Sequence, residues 1–324
     1  MSTLPAGTAV HVRVPASSAN LGPGFDSVGL ALGVWDEVTV TVTDHGGLVV
    51  DVEGEGAADV PRDAEHLVVR SLVAGLASLD VPVPEHLHLR AVGRIPHGRG
   101  LGSSASAIVA GVAAAHALVA ATGGAPYGDA VLEGDDLALD LAAVADLASR
   151  LEGHPDNATA SVYGGLTVSW TADPGDPREG RTATARVAVG EGLDAVVLVP
   201  TTRLATHTAR AVLPATVAHH EAAQQAGRAA LLALAVTGRP ELLLPATRDW
   251  LHQEQRRPAF AATMALVDDL RARGHAAVVS GAGPAVLVLT PAAATDDVTC
   301  DDPAWRRIVP GVPTTGVHAR RVLA

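Results

Sequence analysis

Pro96-His-Gly-Arg-Gly-Leu-Gly-Ser-Ser-Ala-Ser106 is the stretch on which the reading of this sequence turns. Glycines at 98, 100 and 102 allow a sharp turn and a close backbone approach to a ligand, because no Cβ stands in the way. Ser103 and Ser104 then open an apolar run that predicts a helix over Ser103 to Thr122. A helix N-terminus offers unpaired N–H groups and the positive end of a dipole, which suits a phosphate. The serine hydroxyls add a hydrogen bond or an oxygen ligand for Mg²⁺. A dinucleotide fingerprint would need a glycine where Ser103 stands, and a Walker A loop would need a lysine before its serine, so both fail. For the three glycines alone a plain serine-capped turn is the alternative. The paired serines and the long helix behind them favour phosphate.

The surrounding composition narrows the chemistry. The 324 residues correspond to two domains at about 150 residues each. The Pro- and Gly-rich segment Asp173 to Gly180 lies near the expected division into 1–170 and 171–324. Apolar residues make up 48% and aromatics only 2%, so the cores are built from Ala, Val and Leu in close packing. The chain contains no lysine, which excludes Schiff-base chemistry and leaves Arg, backbone N–H groups or a metal to hold any anion. A net charge of −12 argues against a nucleic-acid or anionic-membrane surface. One cysteine, Cys300, allows no internal disulfide and no thiolate cluster. Met1 to His11 lacks a basic start and apolar core, so no signal peptide is expected. The low-polarity run Ala105 to Thr122 reads as a buried helix, not a span. A cytoplasmic protein follows as the expectation.

Along the chain, strands are expected at Val10 to Val14 and Val34 to Val42, with a loop over Pro15 to Gly24 between them. His45-Gly46-Gly47 reads as a hairpin turn into Leu48 to Val52. Helices are expected at Asp63 to Leu79, Asp135 to Leu151, Thr206 to Leu213, Val217 to Val236, Pro240 to His252 and Pro258 to Arg273. Further strands are expected at Leu87 to Val92, Ala195 to Val199, Ala276 to Val279, Ala285 to Leu289 and Val317 to Leu323. Without a regular βαβ alternation, the fold class is α+β.

With these residues in view, the sequence resembles the GHMP kinases, whose phosphate loop has the form Pro-x-x-x-Gly-Leu-Gly-Ser-Ser-Ala. Pro96 and Gly100 to Ala105 match it fully. Pro15-Ala-Ser-Ser-Ala-Asn-Leu-Gly-Pro-Gly-Phe-Asp26 and Ser280-Gly-Ala-Gly-Pro284 match two further motifs, in the expected order. The resemblance implies an N-terminal domain like the second domain of ribosomal protein S5 and a ferredoxin-like C-terminal domain, with the active site between them. It also implies ATP and Mg²⁺, with Pro96, His97, Gly98, Arg99, Gly100, Leu101, Gly102, Ser103, Ser104 and Ala105 around the nucleotide.

Glu152-Gly-His-Pro-Asp-Asn-Ala-Thr-Ala-Ser-Val-Tyr-Gly-Gly165 is similar to the signature of the homoserine kinase branch. Asn157 stands where mevalonate kinases carry a proposed aspartate base, and an amide accepts no proton at neutral pH. Transfer can then rest on positioning and charge neutralisation. The branch implies L-homoserine as the partner, phosphorylated on its hydroxyl in a step toward threonine. Asp26 would take its ammonium and Arg210 and Arg256 its carboxylate. Asn20, His154 and Thr206 would add polar contacts, with Asn20 and Asn157 near the reacting end. Glu152 and Ser104 would hold Mg²⁺. Taken singly, each of these residues has an ordinary structural reading as a cap, a turn or a solvated helix position. The other readings are a GHMP kinase for a different alcohol, of the mevalonate type, and an ATP-binding regulator without transfer activity. A homodimer is left open. Three positions depart from the family pattern: His66 replaces an asparagine at the adenine pocket, Glu254-Gln255 replace Pro-Tyr before Arg256, and Ala285 replaces a threonine.

Overall fold

The structure is a computed structural model that describes residues 3–123, 135–203 and 210–322. Two sheets organise it. The first has eight strands: β1 (Ala9–Asn20), β2 (Gly24–Val42), β3 (Leu48–Gly54), β4 (Leu87–Gly93), β5 (Asp136–Leu137), β6 (Leu166–Thr171), β7 (Thr182–Val187) and β12 (His318–Arg321). Its main path runs β3-β4-β2-β1-β12-β5, with β6 between β2 and β7. The second is four-stranded and antiparallel. It orders β11 (Trp305–Ile308), β8 (Leu193–Pro200), β10 (Val286–Pro291) and β9 (Ala276–Val279). Mixed helices and strands without a parallel doubly wound sheet make this an α+β fold.

Four local expectations are corrected. The helix expected over Asp135 to Leu151 starts only at Leu141, after the short β5, and of Pro240 to His252 only 240–246 is helical. Pro15 to Gly24 is not a loop throughout: β1 stays extended to Asn20, with irregularities after Pro15 and Ala19. The first irregularity lets β2 serve two partners, pairing β4 through Glu37–Val42 and β6 through Val28–Leu30. The turn at Gly46-Gly47 does not close a hairpin either. β4 inserts between β2 and β3 and pairs with β3 in parallel. The first sheet also reaches past residue 170, since β7 folds back on β6 and β12 joins the edge of β1.

Four helices cover the first sheet: α1 (Leu67–Ser78), α2 (Ser103–Ala121), α3 (Leu141–Glu152) and α4 (Pro155–Tyr163). Asp140 caps α3, accepting from the Ala143 N–H at 2.9 Å. α2 is apolar around its whole circumference. By length and composition it could cross a membrane, but 72% of it is buried between the sheet and its neighbours, as in a core helix. In the second half, α5 (His219–Gly238) packs with one face of the second sheet and α6 (Ala261–Ala272) with the other. Ala195, Val197 and Val199 of β8 face the first of these cores, and Val196 and Leu198 face the second. Burial on both faces explains why β8 reads as an unbroken apolar run. The first core also takes in Ala16, Leu30, Leu32 and Leu166 from the other sheet, so it cements the two layers.

Small residues let α1 and α2 cross closely. A Cβ at Gly111 would lie 2.4 Å from the Val68 carbonyl oxygen and 2.8 Å from the Leu72 nitrogen. Both are backbone atoms of α1 and cannot swing aside. Gly111→Ala gains about 1 kcal/mol of helix propensity, but overpacking against backbone that cannot give way falls in the upper part of the usual range, about 2–3 kcal/mol. We expect a net loss of stability of about 1–2 kcal/mol in urea denaturation. Unchanged or increased stability would contradict the close crossing.

Candidate active site

The glycine loop between β4 and α2 lies in a cleft between the two layers. Gly100 and Gly102 both have left-handed φ angles, +74° and +69°. A Cβ on Gly100 would meet the Ser280 carbonyl oxygen at 2.2 Å, and one on Gly102 would meet Ser17 Oγ at 2.3 Å. Glycine is therefore required at both, by conformation and by space. The three motifs interlock here. Ser280 Oγ donates to the Gly100 carbonyl at 2.6 Å, the Gly281 N–H donates to the Ala19 carbonyl at 3.2 Å, and Asn20 Nδ2 donates to the Gly281 carbonyl at 3.0 Å.

The α3–α4 junction delivers the next group. Glu152 ends α3, Gly153 turns the chain with φ +88°, and Pro155 starts α4. Four side chains from this short stretch, Glu152, His154, Asp156 and Asn157, line the cleft. Ser104 Oγ donates to Glu152 Oε1 at 2.6 Å. Burial holds the Glu152 carboxyl above the usual glutamate range, only partly offset by the Ser104 hydrogen bond. His154 Nδ1 lies 2.8 Å from Asp156 Oδ1. Burial alone would lower the His154 pKa, but the hydrogen bond and charge of Asp156, with Glu152 nearby, raise it. Asn157 Oδ1 accepts a hydrogen bond from Ser17 Oγ at 3.1 Å.

The opposite wall carries the charges. Arg210 grips Asp26 in a fork, Nη1 to Oδ2 at 3.0 Å and Nη2 to Oδ1 at 2.5 Å. Asp26 has φ +54°, and its N–H donates to Asn20 Oδ1 at 3.0 Å. Arg256 is only 1% exposed, and burial and the neighbouring Arg210 lower its pKa. Its position follows from a capped turn, in which Asp249 accepts from the His252 and Gln253 N–H groups at 2.9 and 2.8 Å. His252 Nε2 faces the Gly22 carbonyl at 2.8 Å and must donate there, so its Nδ1 accepts from Arg256 Nη1 at 3.2 Å. The Phe25 ring lies under both arginines, 5.6 Å from Arg210 and 5.5 Å from Arg256.

The expected residues thus divide. Asn20, Asp26, Gly98, Gly100, Gly102, Ser103, Ser104, Glu152, His154, Asn157, Arg210 and Arg256 meet in one cleft of about 160 Å³. Pro96, Leu101 and Ala105 are buried beneath the loop as packing residues. The Arg99 guanidinium turns away from the cleft and donates to the carbonyls of Pro200, His97 and Thr201 at 2.8–2.9 Å. His97 lies against Gly56 in an adjoining pocket. Thr206, and most of the helix expected at Thr206 to Leu213, lie outside the described residues. Sequence reasoning did not assign Ser17, Ser161, Phe25 or His252. Only their occurrence beside the motifs could have flagged them.

The adjoining pocket, about 340 Å³ and largely apolar, shares Gly98, Ser103 and Ser104 with the cleft. His66 Nδ1 and Ser106 Oγ belong to buried residues lining it and have no hydrogen-bond partner. Two orphaned polar atoms in an apolar wall fit a flat heterocycle with a polar edge.

Comparison with known proteins agrees with this geometry. Residues 66–165 match the family described as GHMP kinases N terminal domain. A homoserine kinase of Streptomyces avermitilis is 50% identical over 291 residues, covering 90% of this chain and 88% of its own. One from Rhodococcus erythropolis is 49% identical over 289 residues, covering 89% and 88%. A crystal structure of a homoserine kinase from Cytophaga hutchinsonii superposes with a TM-score of 0.77 at 22% identity, covering 98% of this chain and 99% of that one. A mevalonate diphosphate decarboxylase from Staphylococcus aureus shares the fold, with a TM-score of 0.65. Near-half identity along nine-tenths of the chain, with the phosphate loop inside the matched domain, shows that the chain belongs to the homoserine kinase family of the GHMP kinases.

Proposed function

We propose that this chain catalyses transfer of the γ-phosphoryl group of ATP to the side-chain hydroxyl of L-homoserine, giving ADP and O-phospho-L-homoserine in the cytoplasm, on the way to threonine. The observation that carries the reading is the meeting of a glycine phosphate loop, the Asp26 carboxylate and two arginines in a single small cleft. A zwitterionic amino acid needs one acceptor for its ammonium and donors for its carboxylate. Asp26 supplies the first, and Arg210 and Arg256 supply the second, arginine forks being suited to carboxylates. Binding exchanges the internal Asp26–Arg210 pair for two pairs with the ligand, so the charge balance of the cleft is kept.

ATP fits the two adjoining pockets: the cradle at Gly100 and Gly102 for phosphates, and the apolar pocket with its orphaned His66 and Ser106 atoms for the base. Mg²⁺ fits Glu152 and Ser104, one carboxylate and one hydroxyl, because this ion commonly takes few protein ligands and completes its shell with phosphate and water. Bound there, it would neutralise phosphate charge during transfer. Asn157 cannot act as a base. The chain contributes by holding hydroxyl and phosphate in line within a cleft that limits water, which suffices for a loose transition state.

The substrate is tested by coupled ADP release over homoserine, mevalonate, galactose, shikimate and threonine. Homoserine should show the highest kcat/KM, and faster turnover of mevalonate would overturn the assignment.

Arg256→Ala removes a carboxylate donor while leaving the glycine loop intact. A charge-assisted contact is worth about 1.5–3 kcal/mol, so the homoserine KM should rise about ten- to a hundredfold with little change for ATP. Arg256→Lys should recover part of this, and thermal melting separates the effect from lost packing over Phe25. An unchanged homoserine KM and kcat in Arg256→Ala would remove it from the substrate site.

Glu152→Gln should keep the fold and lose most Mg²⁺-dependent activity. Metal needs the ionised carboxylate, and burial has raised the Glu152 pKa. The wild-type apparent Mg²⁺ affinity should therefore fall as pH drops through that raised value, before an ordinary glutamate would protonate. In Glu152→Gln this pH dependence should vanish. Mg²⁺ titrations of initial rate at several pH values measure both, and normal turnover of the variant at limiting Mg²⁺ would exclude Glu152 as a ligand.

A further inference from the structure

Ser17 is fully buried in β1, lines neither pocket, and yet has its N–H and its hydroxyl engaged outside the strand ladder. Its N–H donates to the Leu101 carbonyl of the glycine loop at 3.1 Å. Its hydroxyl donates to Asn157 Oδ1 at 3.1 Å and accepts from Ser161 Oγ of α4, also at 3.1 Å. The single Ser161 hydroxyl proton is shared between Ser17 Oγ and the Pro15 carbonyl, 3.0 Å away. The hydroxyl also occupies the space that a Cβ on Gly102 would need. One small side chain thus touches the first motif, the phosphate loop and the helix that carries Asn157.

A primary amide has two chemically opposite ends, and its terminal torsion is broad and roughly two-fold, so an untethered Asn157 could present either end to the cleft. The Ser17 hydroxyl engages the oxygen from behind. That leaves Nδ2 as the free end of a side chain that lines the cleft. We propose that Ser17, backed by Ser161, is a positioning residue that holds the Asn157 amide with its N–H donors toward the reacting oxygens, so that Asn157 serves the phosphoryl transfer as a hydrogen-bond donor. The inference rests on the kinase reading given above. It separates Ser17 from the residues that touch substrate: loss of its hydroxyl should act only through Asn157.

The test is a double-mutant cycle in the full-length chain, with kcat and both KM values measured for wild type, Ser17→Ala, Asn157→Ala and the double variant. Removing one orienting hydrogen bond should lower kcat by about five- to tenfold, with both KM values within about twofold. On the Asn157→Ala background the same change should cost nothing further, because there is no amide left to orient. Ser17→Thr, which keeps the hydroxyl, should restore most of the rate. Multiplicative losses in the double variant, or a raised ATP KM that Thr does not rescue, would overturn the proposal and assign Ser17 to packing of the loop. Should Ser17→Ala fail to fold by circular dichroism, Ser161→Ala asks the same question one step back: a reduced kcat that Asn157→Ala absorbs is expected, and an independent loss refutes it. The cycle is run with whichever alcohol of the panel turns over fastest. A wrong substrate would then show as a changed preference and a wrong positioning role as absent coupling.

Discussion

The contact on which the molecule depends is the approach of two peptide backbones at Gly100 and Ser280, with no side chain between them. Each belongs to a different sheet layer. The Ser280 hydroxyl spans the gap to the Gly100 carbonyl and also reaches Ser18 Oγ at 2.9 Å. Arg99, from the same loop, ties the first layer to the last residue of β8 through the Pro200 carbonyl. The phosphate loop is therefore clamped on both sides, through its own Gly100 carbonyl and through the Pro200 carbonyl that Arg99 reaches. Oriented backbone groups cost no reorganisation when charge moves, which is what a phosphoryl-transfer site requires. A single methyl at Gly100 would push the layers apart and loosen the cleft walls together.

The electrostatics follow from that closeness. Because the chain has no lysine, the permanent cations of the cleft are guanidinium groups, which stay charged across the physiological range even where burial lowers their pKa. Phe25 spreads beneath both guanidinium groups and offers its ring face in place of water. Its ring also stacks on His252, at 5.2 Å, so one aromatic residue joins the arginine pair to the turn that carries Arg256. One of the protein's two phenylalanines thus lies against the arginine pair.

How much of this was legible depended on whether the signal was local. The glycine loop, its following helix and the ordered motifs are local in spelling, and α2 begins where Ser103 was expected to start it. Sheet register was not legible. β3 looks like the return arm of a hairpin because the turn before it is well formed, but its partner β4 arrives more than thirty residues later and displaces β2. Side-chain direction was not legible either. Within one loop, Arg99 points to β8, Leu101 into the core and Ser104 toward Glu152, and nothing in the order of residues says so. Ser17 escaped for the opposite reason. A small polar residue inside a strand leaves no periodic trace, and its role is visible only once Asn157 is beside it.

The position of β12 carries a consequence for how the molecule comes into being. This strand lies between β1 and β5 and pairs with β1 from Val10 to Arg13, so the first sheet is completed by residues 318–321. On a ribosome, β1 emerges early and finds β2, but its other edge stays bare until nearly all of the described chain has been made. An unpaired strand edge is a template for wrong partners. The first sheet is thus begun before the second and finished after it. During synthesis the nascent chain must keep that edge from its neighbours on the same messenger, a burden that would fall on chaperones and on the rate of translation.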